Sequence, residues 1–352
     1  MKIRQLEIAV RGQGNRMDKR SKINIRRRRA SIHAAILLFT IFTAVASNAQ
    51  ETKPWRHGVV EAKSDAGFVF MAAKGGFAEK QGLKIEMMQF KGDALALRAL
   101  LAGELDSYEG SPGGPLLAGT RGGDIKITGC YWQILTYGIY SKPDVKSAMD
   151  LRGKSIAISS PGALPDLLAR AVLEKYNIPF SEVRFSAMGS DTDRIKAVSA
   201  GIIDAAGAST EFAPIAEKLG VKLLVHAHDV VPNYLRFCTI TSAKTIATRG
   251  DDLAKFLAAE MAAWRFALDN QANVVALAHE ITGSKPDDIR PQYIFDEVKK
   301  YSAIDPAMPI PFEKLTWMQN LLIKTGNLAE VVDIKTLVDD GPRAKALALI
   351  RK

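Results

Sequence analysis

Between residues 57 and 110 the apolar positions switch repeatedly from an alternating period to a helical one. His57–Ala62 is a short apolar-rich stretch, read as a strand, and Lys63-Ser64-Asp65-Ala66 follows as a loop. Residues 67–81 then carry Phe68, Met71, Ala72 and Ala78 at helical spacing, which predicts a helix broken near Gly75-Gly76. Leu83, Ile85 and Met87 alternate, giving a second strand that ends at Phe90. Gly92-Asp93 supplies an N-cap for a helix over 94–102, and Gly103 supplies its stop. A third short strand is predicted around Ser107-Tyr108, running into the loop Glu109-Gly110-Ser111-Pro112-Gly113-Gly114.

Nearly the same order returns about 97 residues later: strand 154–159, loop Ser160-Pro161-Gly162-Ala163, helix 164–176, strand 183–187, loop Gly189-Ser190-Asp191-Thr192 and helix 193–200. The helix ends compare directly, Leu97 to Asp106 against Ile195 to Asp204, each carrying Ala-Gly-x-apolar-Asp. The second then enters the small-residue loop Gly207-Ala208-Ser209-Thr210-Glu211. Six elements in shared order predict two βαβαβ lobes, an α/β fold with a parallel sheet in each. Ligands of such sheets bind beyond the carboxyl ends of the strands, so two facing edges predict a cleft between lobes. Beyond residue 243 the pattern turns helical, with Leu253, Phe256, Leu257, Met261 and Trp264 on one face. The expected organisation is a first lobe of residues 54–137 plus 243–352, with the C-terminal helices packed on it, and a second lobe of 143–233. Crossovers that could hinge them are expected near 138–143 and 234–242.

Charge changes the picture at one end only. The chain of 352 residues has a formal net charge of +10, but residues 1–49 hold 11 Lys/Arg against two Asp/Glu. The remainder carries about +1, which removes the main support for nucleic-acid binding. Arg26 to Arg29, the apolar stretch 30–46 and Ser47-Asn48-Ala49 together form a secretory signal, with cleavage expected after Ala49 and Met17 as an alternative start. That stretch is short for a membrane span. The mature protein is expected in the periplasm.

Asp150-Leu151-Arg152-Gly153-Lys154 resembles the segment that opens the second lobe of periplasmic solute-binding proteins. Lys74-Gly75-Gly76-Phe77 through Gly82-Leu83 is similar to a segment of the alkanesulfonate-, taurine- and nitrate-binding group, which includes proteins resembling thiamine-pyrimidine-synthesis enzymes. The two Ala-Gly-x-apolar-Asp segments fit the same pattern. The resemblance covers about 54–350 and implies a type II-like two-lobed binding fold that closes around a small solute. It further implies delivery to an inner-membrane ATP-binding cassette permease and its ATPase. No cofactor is implied, and a monomer is expected.

Candidate ligand contacts follow from the loop positions. Ser64 and Asp65 precede the first helix, and Ser160, Gly162 and Ala163 hold the matching place in the second lobe. Ser190 follows the second strand of that lobe. Gly110 and Ser111, and Ser209, Thr210 and Glu211, follow the third strands, where small residues permit close approach and hydroxyls can orient a ligand. Trp132 could wall the cleft with an aromatic face. Helix capping, tight turns and core packing explain the same residues, so both readings stay open. Asp65, Asp93, Glu109, Asp191 and Glu211 outnumber the nearby cations Lys63 and Lys91, and only Arg236 could swing in as an anion clamp. A polar organic ligand, aromatic or amine-bearing, fits these loops at least as well as an inorganic anion.

Catalytic signatures are scarce. Gly153-Lys154-Ser155 imitates the end of a phosphate-binding loop, but position 148 is Ala148 and the segment precedes a strand. No Gly-x-Ser-x-Gly elbow occurs. His226-Ala227-His228 could place two rings on one face as a metal pair, without a further ligand cluster in the sequence. Cys130 and Cys238 could pair, although a separation of 108 residues decides nothing. The expected activity is binding without chemistry. A small-metabolite enzyme on the same fold, or a sensor subunit that signals ligand state, are the alternatives.

Overall fold

The computed structural model describes residues 53–351. The expected secretory segment, residues 1–49, lies outside the described residues. The chain forms two five-stranded sheets. The first is built from β1 (Trp55–Val60), β2 (Ile85–Phe90), β3 (Ser107–Gly110), β4 (Lys126–Trp132) and β10 (Phe237–Thr241), in the order β2-β1-β3-β10-β4. The second contains β5 (Tyr137–Ser141), β6 (Ser155–Ile158), β7 (Arg184–Ala187), β8 (Ala205–Ser209) and β9 (Lys222–His226), in the order β7-β6-β8-β5-β9.

The two orders match element for element, and the sequence repeat predicts the strands β1 to β3 and their counterparts β6 to β8. Helices α1 (Asp93–Leu101) and α4 (Asp191–Ser199) end alike. Gly103 and Gly201 take the left-handed conformation that glycine adopts without strain, at φ 76° and 73°. After each, a carboxylate does the same work. Asp106 accepts the Arg56 backbone N–H at 2.8 Å, and Asp204 accepts that of Ser155 at 2.9 Å. The repeated aspartates therefore tie each helix end to the first of the three parallel strands in its own sheet, β1 or β6.

The all-parallel expectation needs correction. β1, β2 and β3 are parallel, as are β6, β7 and β8, but β10 runs antiparallel to β3 and β4, and β5 runs antiparallel to β8 and β9. Each antiparallel strand arrives from the opposite lobe. The chain passes between sheets over residues 133–136 and 227–236, so 138–141 belong to β5 and 237–241 to β10. Tyr137-Gly138-Ile139 is buried on both sides, which is why its pattern gives no sign of a crossover ending there.

Cys130 and Cys238 lie opposite one another on β4 and β10 and form a disulfide. Topology makes those strands neighbours, a relationship that separation along the chain does not reveal. The C-terminal helices are α5 (Ala243–Asp269, kinked at Arg249), α6 (Gln271–Thr282), α7 (Arg290–Lys300), α8 (Phe312–Lys324) and α9 (Gly341–Leu349). α5, α6 and α9 cover the first lobe. The expectation that the whole tail packs there is incomplete. α7 also packs on the 3-10 turn Thr210–Ile215 of the second lobe, and α8 lies between α2 (Gly113–Thr120) and α3 (Leu164–Lys175).

Candidate functional site

Loops from both lobes meet around one narrow cleft that is partly open to solvent. From the first lobe come Val60, Glu61 and Lys63 after β1, Lys91 to Asp93 after β2, and Ser111 after β3. The second lobe contributes Ser159 and Ala163 to Pro165 after β6, Gly189 to Asp191 after β7, and Arg194 on α4. Tyr137 and Phe237, each next to a crossover, supply aromatic surface.

A buried charge network holds the loops in place. Lys63 Nζ lies 3.1 Å from Asp191 Oδ2 and donates to Tyr137 Oη at 2.9 Å. The Tyr137 hydroxyl in turn donates to Asp191 Oδ2 at 2.9 Å. Arg194 pairs with Asp191 from the same helix, three residues on, and donates through Nε to the Gly207 carbonyl at 2.8 Å. Burial alone would raise the Asp191 pKa, but the two cations hold it well below the ordinary carboxylate range. Burial likewise opposes the Lys63 charge, yet Asp191 and Tyr137 raise its pKa. Tyr137 is pushed up to about 12 by burial and by Asp191.

The sequence-predicted residues divide among several positions. Ser111, Ala163 and Ser190 line the cleft. Ser190 also caps α4, accepting the Asp193 backbone N–H. Ser64 donates its backbone N–H at 2.9 Å and its hydroxyl to Glu211 Oε2, across the lobes. These two border an adjoining cavity with Arg290. Burial raises the Glu211 pKa above its usual value. Asp65 pairs with Arg236, which also donates to Thr136 Oγ1 at 2.7 Å and lies over the Trp132 ring at 4.1 Å. Arg236 is fully buried in these contacts and does not line the cleft, so the expected swing toward a ligand would break them. Trp132 packs in the core against Phe68 and Phe237.

Ser160, Gly162 and Ala163 border a third cavity, with Asp93 and Arg121. Ser209 donates its backbone N–H to Asp191 at 3.1 Å, and Thr210 donates its hydroxyl to Glu297 on α7. Gly110 has a different near neighbour from the one expected: a Cβ there would stand 2.2 Å from Asp93 Oδ1. His226 reaches Glu297 at 2.7 Å and His228 at 2.6 Å between their Nδ1 atoms. Among the described residues no group of three or more His, Cys, Asp or Glu side chains could hold a metal ion.

Sequence reasoning missed Arg194, Tyr137 and Phe237 as cleft residues, and took Asp93 chiefly for a cap. The i, i+3 spacing of Asp191 and Arg194 was the one available signal. Tyr137 and Phe237 sit in continuous apolar runs that read as core.

Residues 63–274 match the family model described as NMT1/THI5 like. No curated protein matches the chain in sequence. Among solved structures, the fold is similar to the alkanesulfonate-binding protein SsuA from Xanthomonas axonopodis pv. citri bound to MOPS. That match has a TM-score of 0.69 at 18% identity and covers 81% of this chain and 98% of that one. The periplasmic nitrate-binding protein NrtA from Synechocystis PCC 6803 gives 0.71 at 15% identity, covering 85% and 89%. The desulfurization enzyme DSZB gives 0.61 at 16% identity, covering 84% and 100%. These likenesses establish the two-lobed fold.

Proposed function

The chain belongs to the NMT1/THI5-like family, and from that premise we propose that it is the periplasmic substrate-binding component of an ATP-binding cassette importer. It captures a small organic solute between its lobes and delivers it to an inner-membrane permease and its ATPase. The observation that carries this reading is the cleft itself. Its walls come from loops of both sheets, and Lys63 and Asp191 link them across the opening. Among the described residues the strands of the two sheets are joined through 133–136 and 227–236, an arrangement suited to hinge closure around a ligand, with α7 and α8 also touching the second lobe. Binding proteins such as SsuA and NrtA share this fold.

Localisation has one support besides the basic, apolar N-terminal segment. The Cys130–Cys238 disulfide suits an oxidising compartment. Among the described residues no helix is long and apolar enough to cross a membrane. The protein acts as a monomer in this reading.

Enzyme chemistry on the same fold is represented by DSZB. In this chain none of His57, His226, His228 and His279 borders the cleft, and Ser111 has only the Tyr234 hydroxyl, at 3.5 Å, as a side-chain partner. Among the described residues no serine–histidine pair is assembled at the cleft, which favours binding over serine-type acyl transfer. The test is a thermal-shift screen of the purified protein against taurine, alkanesulfonates, nitrate, aromatic acids, pyrimidines and amines. A stabilising compound recovered unchanged supports the reading. Conversion of that compound would move the protein to the enzymes of this fold.

A further inference from the structure

The charges inside the cleft are largely committed to one another. Lys63 and Arg194 both rest on Asp191, and Lys91 is exposed at the rim. Two acids at the cleft, Glu61 and Asp93, carry no ion pair among the described residues. Asp93 Oδ1 is buried and has no hydrogen-bond partner, although Asp93 borders the cleft. Its place is built into the fold. Asp93 opens α1 directly after β2, and glycines leave room for its carboxylate: a Cβ at Gly110 or Gly114 would stand 2.2 Å from Oδ1 or 3.2 Å from Oδ2.

The elements packed around α1 carry Arg56 and His57 on β1, Glu86 on β2 and Tyr108 and Glu109 on β3, with Glu61, Lys91 and Arg121 in the flanking loops; the buried hydroxyls of Tyr108 and Tyr234 are the groups whose pKa values Asp93 raises. Asp93 forms an ion pair with none of them among the described residues. Burial pushes its pKa up to about 7. The rings of Tyr137 and Phe237 and the side chains of Leu164 and Pro165 give the same cleft an apolar wall. Oδ1 is turned toward Gly110 and Tyr108, while the carboxylate as a whole carries no ion pair at the cleft wall, so a cationic group brought by a ligand would offset the cost of keeping its charge there. A sulfonate or nitrate placed there would meet that carboxylate, while the two buried cations are occupied.

We propose that Asp93 is the specificity-determining residue of the cleft, accepting N–H groups from the protonated amine of a small solute whose apolar body lies against Tyr137 and Phe237. The inference rests on the cleft being the solute site, and its test separates the two. Isothermal titration of the purified protein would compare benzylamine with phenylmethanesulfonate, and butylamine with butane-1-sulfonate, at pH 6 and pH 8. At least one amine is expected to bind while its sulfonate partner does not. An amine needs Asp93 ionised, so its affinity rises about tenfold between those pH values if the carboxyl titrates near 7. In Asp93→Asn, whose shape is nearly the same, amine affinity falls at least tenfold and the pH dependence disappears. Asp93→Ala gives the same losses, and melting curves confirm that both variants are folded.

Binding of a sulfonate in preference to its amine overturns the assignment and leaves the cleft as a solute site. Amine binding that is unchanged in Asp93→Asn overturns it in the same way. If neither amine binds while a compound of the wider screen does, the assignment fails and the cleft stands as a solute site; if nothing in either set binds, both fail.

Discussion

Lys63 and Asp191, 128 positions apart in the chain, form a 3.1 Å ion pair whose partners belong to opposite lobes. Asp191 receives Arg194, Tyr137 and the Ser209 backbone N–H as well, so one carboxylate organises the floor of the cleft. Removing it strands two buried cations. Asp191→Asn is expected to cost about 3–5 kcal/mol, and Lys63→Met less, because Arg194 still neutralises Asp191. Chemical denaturation of the two variants measures the difference. Since the Asp191 pKa is depressed on folding, its contribution is present above the unfolded value near 4 and is lost as pH falls below it. Equal stabilities for the two variants would contradict this account.

The disulfide closes a loop that contains the whole second sheet. Cys130 sits just before the first crossover and Cys238 just after the second, 108 residues apart. In the chain-entropy account, a loop of roughly 100 residues contributes about 4.7 kcal/mol. The double variant Cys130→Ser, Cys238→Ser should unfold at markedly lower urea concentration than the oxidised protein. Reduced wild type should match the variant. Coinciding curves for the oxidised wild type and the variant would show that the bond contributes nothing.

Glu109 lies 2% exposed beneath the site, bonded to the Tyr131 hydroxyl. Burial pushes its pKa up to about 8. A raised folded pKa means that stability is full below the unfolded value near 4.5 and declines as pH rises toward 8, by up to about 1.4 kcal/mol per pH unit. Glu260, also buried and raised by burial and by Glu109, slopes the same way. Glu109→Gln should therefore lose less stability than wild type between pH 5 and pH 8, measured as urea midpoints. Parallel slopes would contradict the assignment.

Gly110 makes room for a side chain. A methyl group there would stand 2.2 Å from Asp93 Oδ1 and 2.6 Å from Tyr108 Cε2. Gly110→Ala should destabilise by about 1–3 kcal/mol, as overpacking does, and displace Asp93 from the cleft wall. Differential scanning calorimetry gives the first quantity. An unchanged melting temperature would show that the Asp93 side chain is free to move aside.

The fold was legible where the chain repeats itself. Leu97 to Asp106 and Ile195 to Asp204 share a local job, ending a helix at glycine and tying back to a strand with aspartate, so their spacing carried the signal. The antiparallel strands were not legible. Tyr137 to Ser141 and Phe237 to Thr241 are buried runs whose partners lie in sheets assembled from distant segments. The candidate site was readable as loops and not as contacts. Ser64 and Glu211 are 147 residues apart, and nothing local marks them as partners. Lys63 and Arg194 read as isolated charges until Asp191 brings them together.

The central claim is that the cleft between the lobes is where a solute binds, and filling it tests that directly. Ser190 borders the cleft at the start of α4. Thermal melting of the wild type and of Ser190→Trp would be compared with each compound that stabilises the wild type. At about 100 times its dissociation constant, a ligand adds about 2.7 kcal/mol, a rise of a few degrees for a chain of this size. The account predicts that rise in the wild type, its loss in the folded tryptophan variant and recovery of the compound unchanged. An equal rise in both proteins would place the ligand elsewhere and contradict the account.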